Sequence, residues 1–87
     1  MSKRRVYTSD TLAIMDRYFR AIEVCRERGL LKSMADYFRE CDIDSPHFYI
    51  QRNDRNRGFF EVGWLVPLIR DCHVSSYWLM TGIGDMF

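Results

Sequence analysis

Apolar residues recur at helical spacing through the segment from Ser9 to Arg28, and this pattern limits the chain to folds built on an amphipathic helix. Ser9 or Asp10 suits the N-cap, and Gly29 suits the C-terminal stop. The helix needs partners that cover its apolar side. That side consists of two adjacent stripes, Leu12, Met15, Phe19 and Ile22 beside Ile14, Tyr18, Ala21 and Cys25.

Two shorter helices are expected in the middle of the chain, separated by a tight turn. The first covers Met34–Cys41, follows the capping residue Ser33 and repeats apolar residues at helical spacing. The second is capped by Asp44 or Ser45 and frays near Asn56. The sequence therefore predicts two short helices in succession, the second of them rich in polar side chains.

Two further helices are expected near the C-terminus. One spans roughly Glu61 to Asp71 and contains Pro67, so that it either begins near Gly63 or is kinked. The other is capped by Ser75 and ends at Gly82. The residues expected to face inward from the first are Trp64, Leu65, Leu68 and Ile69. The aromatic residues expected in the core, with a dimer surface as the alternative, are Trp64, Tyr77 and Trp78. No segment alternates apolar and polar residues as a strand would, so we expect an all-α, compact bundle of about five helices.

Length and charge are consistent with one domain. The 87 residues suggest a flexible basic arm over residues 1–8 and a single helical domain over residues 9–87. The net charge of +1 neither favours nor excludes an anionic partner. The distribution is more informative. Positive charge collects in the arm, at Lys3, Arg4 and Arg5, and again in residues 45–58, whereas the C-terminal third is acidic.

Several classes of protein are disfavoured. The 3 cysteines form no C-x-x-C pair, which is typical of reduced thiols in the cytoplasm. No apolar run approaches the roughly 20 residues of a membrane span, and no apolar segment of a signal peptide follows the basic N-terminus. The adjacent pair Cys72-His73 cannot form a metal site by itself. We therefore expect no enzyme, metal, cofactor, small-molecule ligand or membrane partner.

The stretch Ile43–Gly58 carries the residues suited to DNA. Asn and Gln side chains pair with adenine and Arg with guanine, so the side chains expected at base edges are Gln51, Arg52 and Asn53. Cations and polar groups contact phosphates, and the residues expected there are Lys32, Ser33, Arg55, Asn56 and Arg57. The arm would follow the backbone or enter the minor groove. The competing interpretation is a solvated loop in which the arginines pair with Asp54.

Order and spacing of these elements resemble a known family. Two short helices around a tight turn, with one helix before and two after, are the layout of the phage-repressor-type (Cro/repressor-like) helix-turn-helix domain. The C-terminal segment V-S-S-Y-W-L-M-T-G-I-G-D-M-F, Val74–Phe87, is similar to the ending of many small bacterial members. The resemblance covers residues 10–87. It implies a lambda-repressor-like fold and a third helix, about residues 45–55, in the major groove.

The resemblance also implies which residues approach the bases. The first residues of the third helix would do so, namely Ser45, His47, Tyr49 and Ile50. His47 is equally compatible with a capping or core position. The implied function is sequence-specific binding of double-stranded DNA, as a transcriptional regulator or a phage or mobile-element accessory protein. A homodimer would place its two third helices about 34 Å apart.

Two positions depart from the family pattern. The family has a small residue midway along the first helix of the motif and a glycine in the turn, where this chain has Phe38 and Asp42. Ala35 would suit the small-residue position only with a turn about three residues longer than usual. These departures and the near-neutral charge motivate an alternative function, a protein-interaction module that has a helix-turn-helix-like fold and does not bind DNA.

Overall fold

The computed structural model describes residues 5–87, which form an all-α bundle. The described chain contains no extended strand, so the predicted fold class is confirmed. A short 3-10 turn at Val62–Leu65 leads directly into the fourth helix. The 5 α-helices are α1 (Ser9–Glu27), α2 (Met34–Cys41), α3 (Ser45–Asn53), α4 (Val66–Arg70) and α5 (Ser76–Thr81).

Helix α1 begins one residue earlier than its predicted caps allow. Thr8 is the N-cap, and its hydroxyl oxygen accepts a hydrogen bond from the backbone N–H of Thr11 at 3.4 Å. Ser9 and Asp10 lie inside the first turn, so the prediction that either one caps the helix is wrong. At the other end Gly29 has a φ of +71°, and Leu30 donates its N–H to the carbonyl of Cys25. The predicted stop is therefore confirmed.

Local capping fixes the α2–turn–α3 unit. Ser33 caps α2 by accepting from the N–H of Asp36 at 3.0 Å, and the carboxylate of Asp44 caps α3 by accepting from the N–H of His47 at 3.3 Å. Between them Asp42 is left-handed, with a φ of 54°. The next N–H, of Ile43, closes the end of α2 onto the carbonyl of Phe38 at 2.8 Å. Asp42 thus supplies the left-handed conformation that commonly ends an α-helix.

Helix α4 differs from its prediction. The sequence predicted one helix from Glu61 to Asp71, but the chain forms a 3-10 turn first and becomes α-helical only at Val66. Pro67 lies in the first turn of α4, where its missing N–H has no intrahelical partner to lose. Because α4 therefore starts late, Ile69 points outward and is 37% exposed, so its predicted core position is wrong.

The C-terminal segment closes on itself and on α1. Ser75 caps α5, as predicted, and its backbone N–H donates to the carbonyl of Met86 at 2.7 Å. Gly82 ends α5 with a φ of +77°, and the guanidinium of Arg17 donates to the carbonyl of Leu79 at 2.8 Å. Tyr77 is 60% exposed, so its predicted core position is wrong. Gly82 therefore supplies the left-handed backbone conformation at which α5 ends.

The buried core contains two thiols and two phenols held in their protonated forms. Burial raises the pKa of the Cys25 thiol to about 12 and raises the pKa of the Cys72 thiol. Burial likewise raises the pKa values of the Tyr18 and Tyr37 hydroxyls. Both cysteines are free thiols.

The left-handed turn should discriminate between substitutions at Asp42. A β-branched residue is strained at positive φ, so Asp42→Val should lower the free energy of unfolding by about 1–2 kcal/mol. Asp42→Gly should preserve or raise it, since glycine adopts this conformation without strain. Urea unfolding followed by circular dichroism measures both. Equal stability of the two variants would contradict the left-handed turn.

Alkaline pH should destabilise the fold. The pKa of Cys25 is higher in the folded chain than its ordinary value of 9.0, so stability is complete below pH 9 and is lost as pH rises toward about 12. The buried tyrosines act in the same direction. Urea midpoints measured from neutral pH upward should fall above pH 9, and Cys25→Ala should fall less steeply. A wild-type midpoint that stays constant across this interval would refute the proposed burial effect.

Candidate nucleic-acid interface

Helix α3 is anchored to the bundle chiefly by Phe48. The ring of Phe48 lies 5.2 Å from the ring of Phe19 and 5.0 Å from that of Phe38, measured between centroids. These contacts join α3 to α1 and to α2. Because a 9-residue helix has few side chains with which to fix its orientation, Phe48 is its main apolar anchor.

Much of the remaining surface of α3 is exposed. Tyr49 and Ile50 are 39% and 41% exposed, and the ring of Tyr49 lies beneath the guanidinium of Arg52 at 4.9 Å. The predicted base-contacting residues that the structure places on this face are Ser45, Tyr49, Ile50, Arg52 and Asn53. They recur at helical spacing on the exposed surface of the helix. The face therefore presents hydroxyl, amide, guanidinium and apolar groups together.

Gln51 does not belong to that face. Its side chain is fully buried, and its amide nitrogen donates to the carbonyls of Arg57 at 3.2 Å and Phe59 at 3.0 Å. A buried amide cannot reach a base edge, so the prediction that Gln51 contacts DNA is wrong. It instead clamps the loop after α3 onto the helix.

Arg55 is also committed within the protein. Its Nε donates to a carboxylate oxygen of Asp16 at 2.8 Å, and its guanidinium lies over the ring of Phe19 at 4.5 Å. Nη1 donates to the carbonyls of Gln51, at 3.2 Å, and Arg52 at the end of α3. These contacts satisfy the helix C-terminus and tie it to α1. The structure thus gives Arg55 a positioning role in place of the predicted phosphate contact.

His47 lies at the flank of α3. Its ring lies 5.2 Å from the ring of Phe59, and a Cβ added to Gly58 would come within 1.9 Å of its Cε1 atom. Gly58 also has a φ of +83°, so both the space and the backbone conformation require glycine there. Of the two interpretations of His47, this packing favours a structural position.

The loop after α3 receives the N-terminal segment. Arg5 donates its N–H to the carbonyl of Asn56 at 2.7 Å, and the hydroxyl of Tyr7 donates to the carbonyl of Gly58 at 2.7 Å. Asn56 and Arg57 are half-buried in this loop. Lys3 and Arg4, which were predicted to contact DNA from the arm, lie outside the described residues.

The start of α2 lies beside a groove between α1 and α3. Lys32 and Ser33 are exposed and line a separate groove beside α2, whereas the next residue, Met34, lines the groove between α1 and α3. The groove, named here the α1/α3 groove, has a volume of about 570 Å³. The charged residues that line it are Arg20, Arg26, Arg52, Arg55, Asp16 and Glu23. Sequence reasoning missed Arg20 and Arg26 as site residues because mixed charge on the polar side of a helix is ordinary.

Comparison of the chain with protein-family models, with curated proteins and with solved structures finds no match. Within residues 5–87, no cluster of three or more His, Cys, Asp or Glu side chains is arranged to hold a metal ion. Among the helices of the same residues, none has the length and apolar character needed to cross a membrane.

Truncation of Gln51 should lower stability far more than truncation of Asn53, which lies two residues later on the same helix. Gln51→Ala removes two buried hydrogen bonds and leaves a cavity, so we expect a loss of about 2–3 kcal/mol in the free energy of unfolding. Asn53→Ala, at an exposed position of the same helix, should change it by less than about 0.5 kcal/mol. Chemical denaturation measures both variants. A loss for Asn53→Ala as large as that for Gln51→Ala would contradict the described orientation of α3.

Proposed function

We propose that this chain is a sequence-specific double-stranded DNA-binding protein with a lambda-repressor-like helix-turn-helix, and that α3 enters the major groove. The observation that carries the proposal is the exposed face of α3, which combines Arg52 and Asn53 with Ser45. Arg pairs with guanine and Asn with adenine, and both patterns are read in the major groove. Ser45 and Arg52 lie beside the anchor Phe48 on the helix, three residues before it and four after it, and Ser45, Arg52 and Asn53 are all exposed.

The arrangement of the other helices supports the same proposal. Helices α2 and α3 are both capped and are separated only by residues 42–44, which include the left-handed Asp42. Helix α1 precedes this unit, and α4 and α5 follow it. Phe38 stands where the family has a small residue, and it packs against Phe48 and Tyr49. The bulky ring of Phe38 therefore fits between α2 and α3.

The role proposed on this basis is a transcriptional regulator or a phage or mobile-element accessory protein. The exposed face of α3 would distinguish bases, while Lys32, Ser33, Asn56 and Arg57 would position the sugar-phosphate backbone. Tyr49 and Ile50 would add apolar contact, for which the methyl group of thymine is the natural partner. No catalytic step is part of the proposal.

A specific observation favours the second candidate, a protein-interaction module. Tyr49 and Ile50 are large apolar side chains exposed on the same face of α3. Arg55, which would have added charge beside them, is paired with Asp16. A face of this composition would also suit an amphipathic partner surface. Binding of a protein partner that survives nuclease treatment, with no enrichment of any duplex, would favour this candidate.

Selection from a random duplex library tests the DNA proposal. Wild-type protein should enrich a defined sequence, and Arg52→Ala should bind that sequence about 1–3 kcal/mol more weakly with relaxed preference at one base pair. Lys32→Ala, the comparison variant, should weaken selected and scrambled duplexes alike, because a phosphate contact carries no base preference. Fluorescence anisotropy titrations give both affinities. A library that shows no enrichment after repeated rounds would overturn sequence-specific binding.

A further inference from the structure

The exposed face of α3 contributes little positive charge of its own. Arg52 is the only Lys or Arg between Ser45 and Asn53, and the N-cap of the helix is the acidic residue Asp44. Binding to a phosphate backbone needs several cations, since neutralised phosphates release the counterions that supply much of the affinity. The cations that position the backbone must therefore come from elements beside α3.

The α1/α3 groove provides such cations. Arg55 and Asp16 neutralise each other across it at 2.8 Å, which leaves Arg20, Arg26 and Arg52 against the single carboxylate of Glu23. Within residues 5–87, the side chains of Arg20 and Arg26 form no salt bridge or hydrogen bond, and both are exposed. The charge of this surface is therefore positive, and its guanidinium groups are available to an anion.

The groove also lies in the right place. Its α2 side ends at Met34, the residue after Lys32 and Ser33, and its α3 side carries Tyr49 and Arg52. The surface of α1 is thus continuous with the start of α2, where a phosphate contact is already proposed. A DNA strand that borders the major groove occupied by α3 would pass the start of α2 and then reach α1.

We infer that Arg20 and Arg26 on α1 contact the phosphates of that strand, so that α1 is a third DNA-binding element beside α2 and α3. The inference rests on the proposed DNA binding. It assigns the α1 side of the α1/α3 groove to the backbone, while Arg52 on the α3 side keeps its proposed base contact. The contact therefore raises affinity for all duplexes equally and adds to the salt dependence of binding.

Glu23 makes the inference sharper. It lies on α1 between the two arginines, three residues from each, and its carboxylate would face the same phosphates. Removal of its charge should therefore strengthen binding. Such a gain of affinity cannot result from damage to the fold.

The experiment measures binding of a pool of random-sequence duplex DNA over a series of salt concentrations. For Arg20→Ala and for Arg26→Ala, the slope of log K against log salt concentration should become shallower by about 0.9. The affinity of each variant should fall about three- to tenfold near 0.1 M salt. Arg20→Lys and Arg26→Lys should retain the wild-type slope, because lysine keeps the charge. Glu23→Gln should bind several-fold more tightly.

A matched control removes an arginine outside the groove. Arg39 is exposed on α2, where it pairs with Asp36, and Arg39→Ala should leave the slope unchanged. The α1 contact would be overturned if Arg20→Ala and Arg26→Ala showed the wild-type slope, or if the alanine and lysine variants lost affinity equally. The proposed DNA binding would still stand in that case, provided that binding by the wild-type protein depends on salt. Wild-type affinity that does not vary with salt would overturn both.

Discussion

The packing of α2 against α1 and against the 3-10 turn depends on one chain of buried hydrogen bonds. The hydroxyl of Tyr37 donates to the carbonyl of Trp64 at 2.8 Å, so its single proton is used there and Tyr18 must donate to Tyr37 at 2.6 Å. The three residues belong to α1, α2 and the 3-10 turn. Loss of one hydroxyl would leave a buried polar group without its partner, which costs more than the bond itself contributes. These hydrogen bonds therefore fix α2 against α1, and they join the α2–turn–α3 unit to the C-terminal half of the protein.

The same framework limits how much of α3 remains for recognition. Phe48 fills the interior, Gln51 holds the following loop and Arg55 secures the helix end to α1. A short helix gains little stability from its own backbone, so tertiary contacts must hold it. Its inner side and its C-terminal end are thereby committed to the fold. What remains exposed is a strip about two helical turns long that carries both apolar and polar side chains.

Local signals explain what the sequence predicted well. The bounds of α2 and the caps at Ser33, Asp44 and Ser75 follow from hydrogen bonds between residues three apart, and all are confirmed. The roles of Gln51 and Arg55 depend on residues brought near by folding, such as Asp16, which is 39 positions from Arg55. Polarity alone could not separate these two from Arg52.

The pair between Arg55 and Asp16 also bears on the choice between DNA and a protein partner. By joining the end of α3 to α1, it orients the exposed face and at the same time neutralises a charge that would have attracted phosphates. Rigid placement favours base readout, which depends on side chains held in register with base edges. Lower local charge makes the face more dependent on cations supplied by neighbouring helices. Specificity and affinity would then reside on different elements, with base preference on α3 and backbone attraction on α1 and α2.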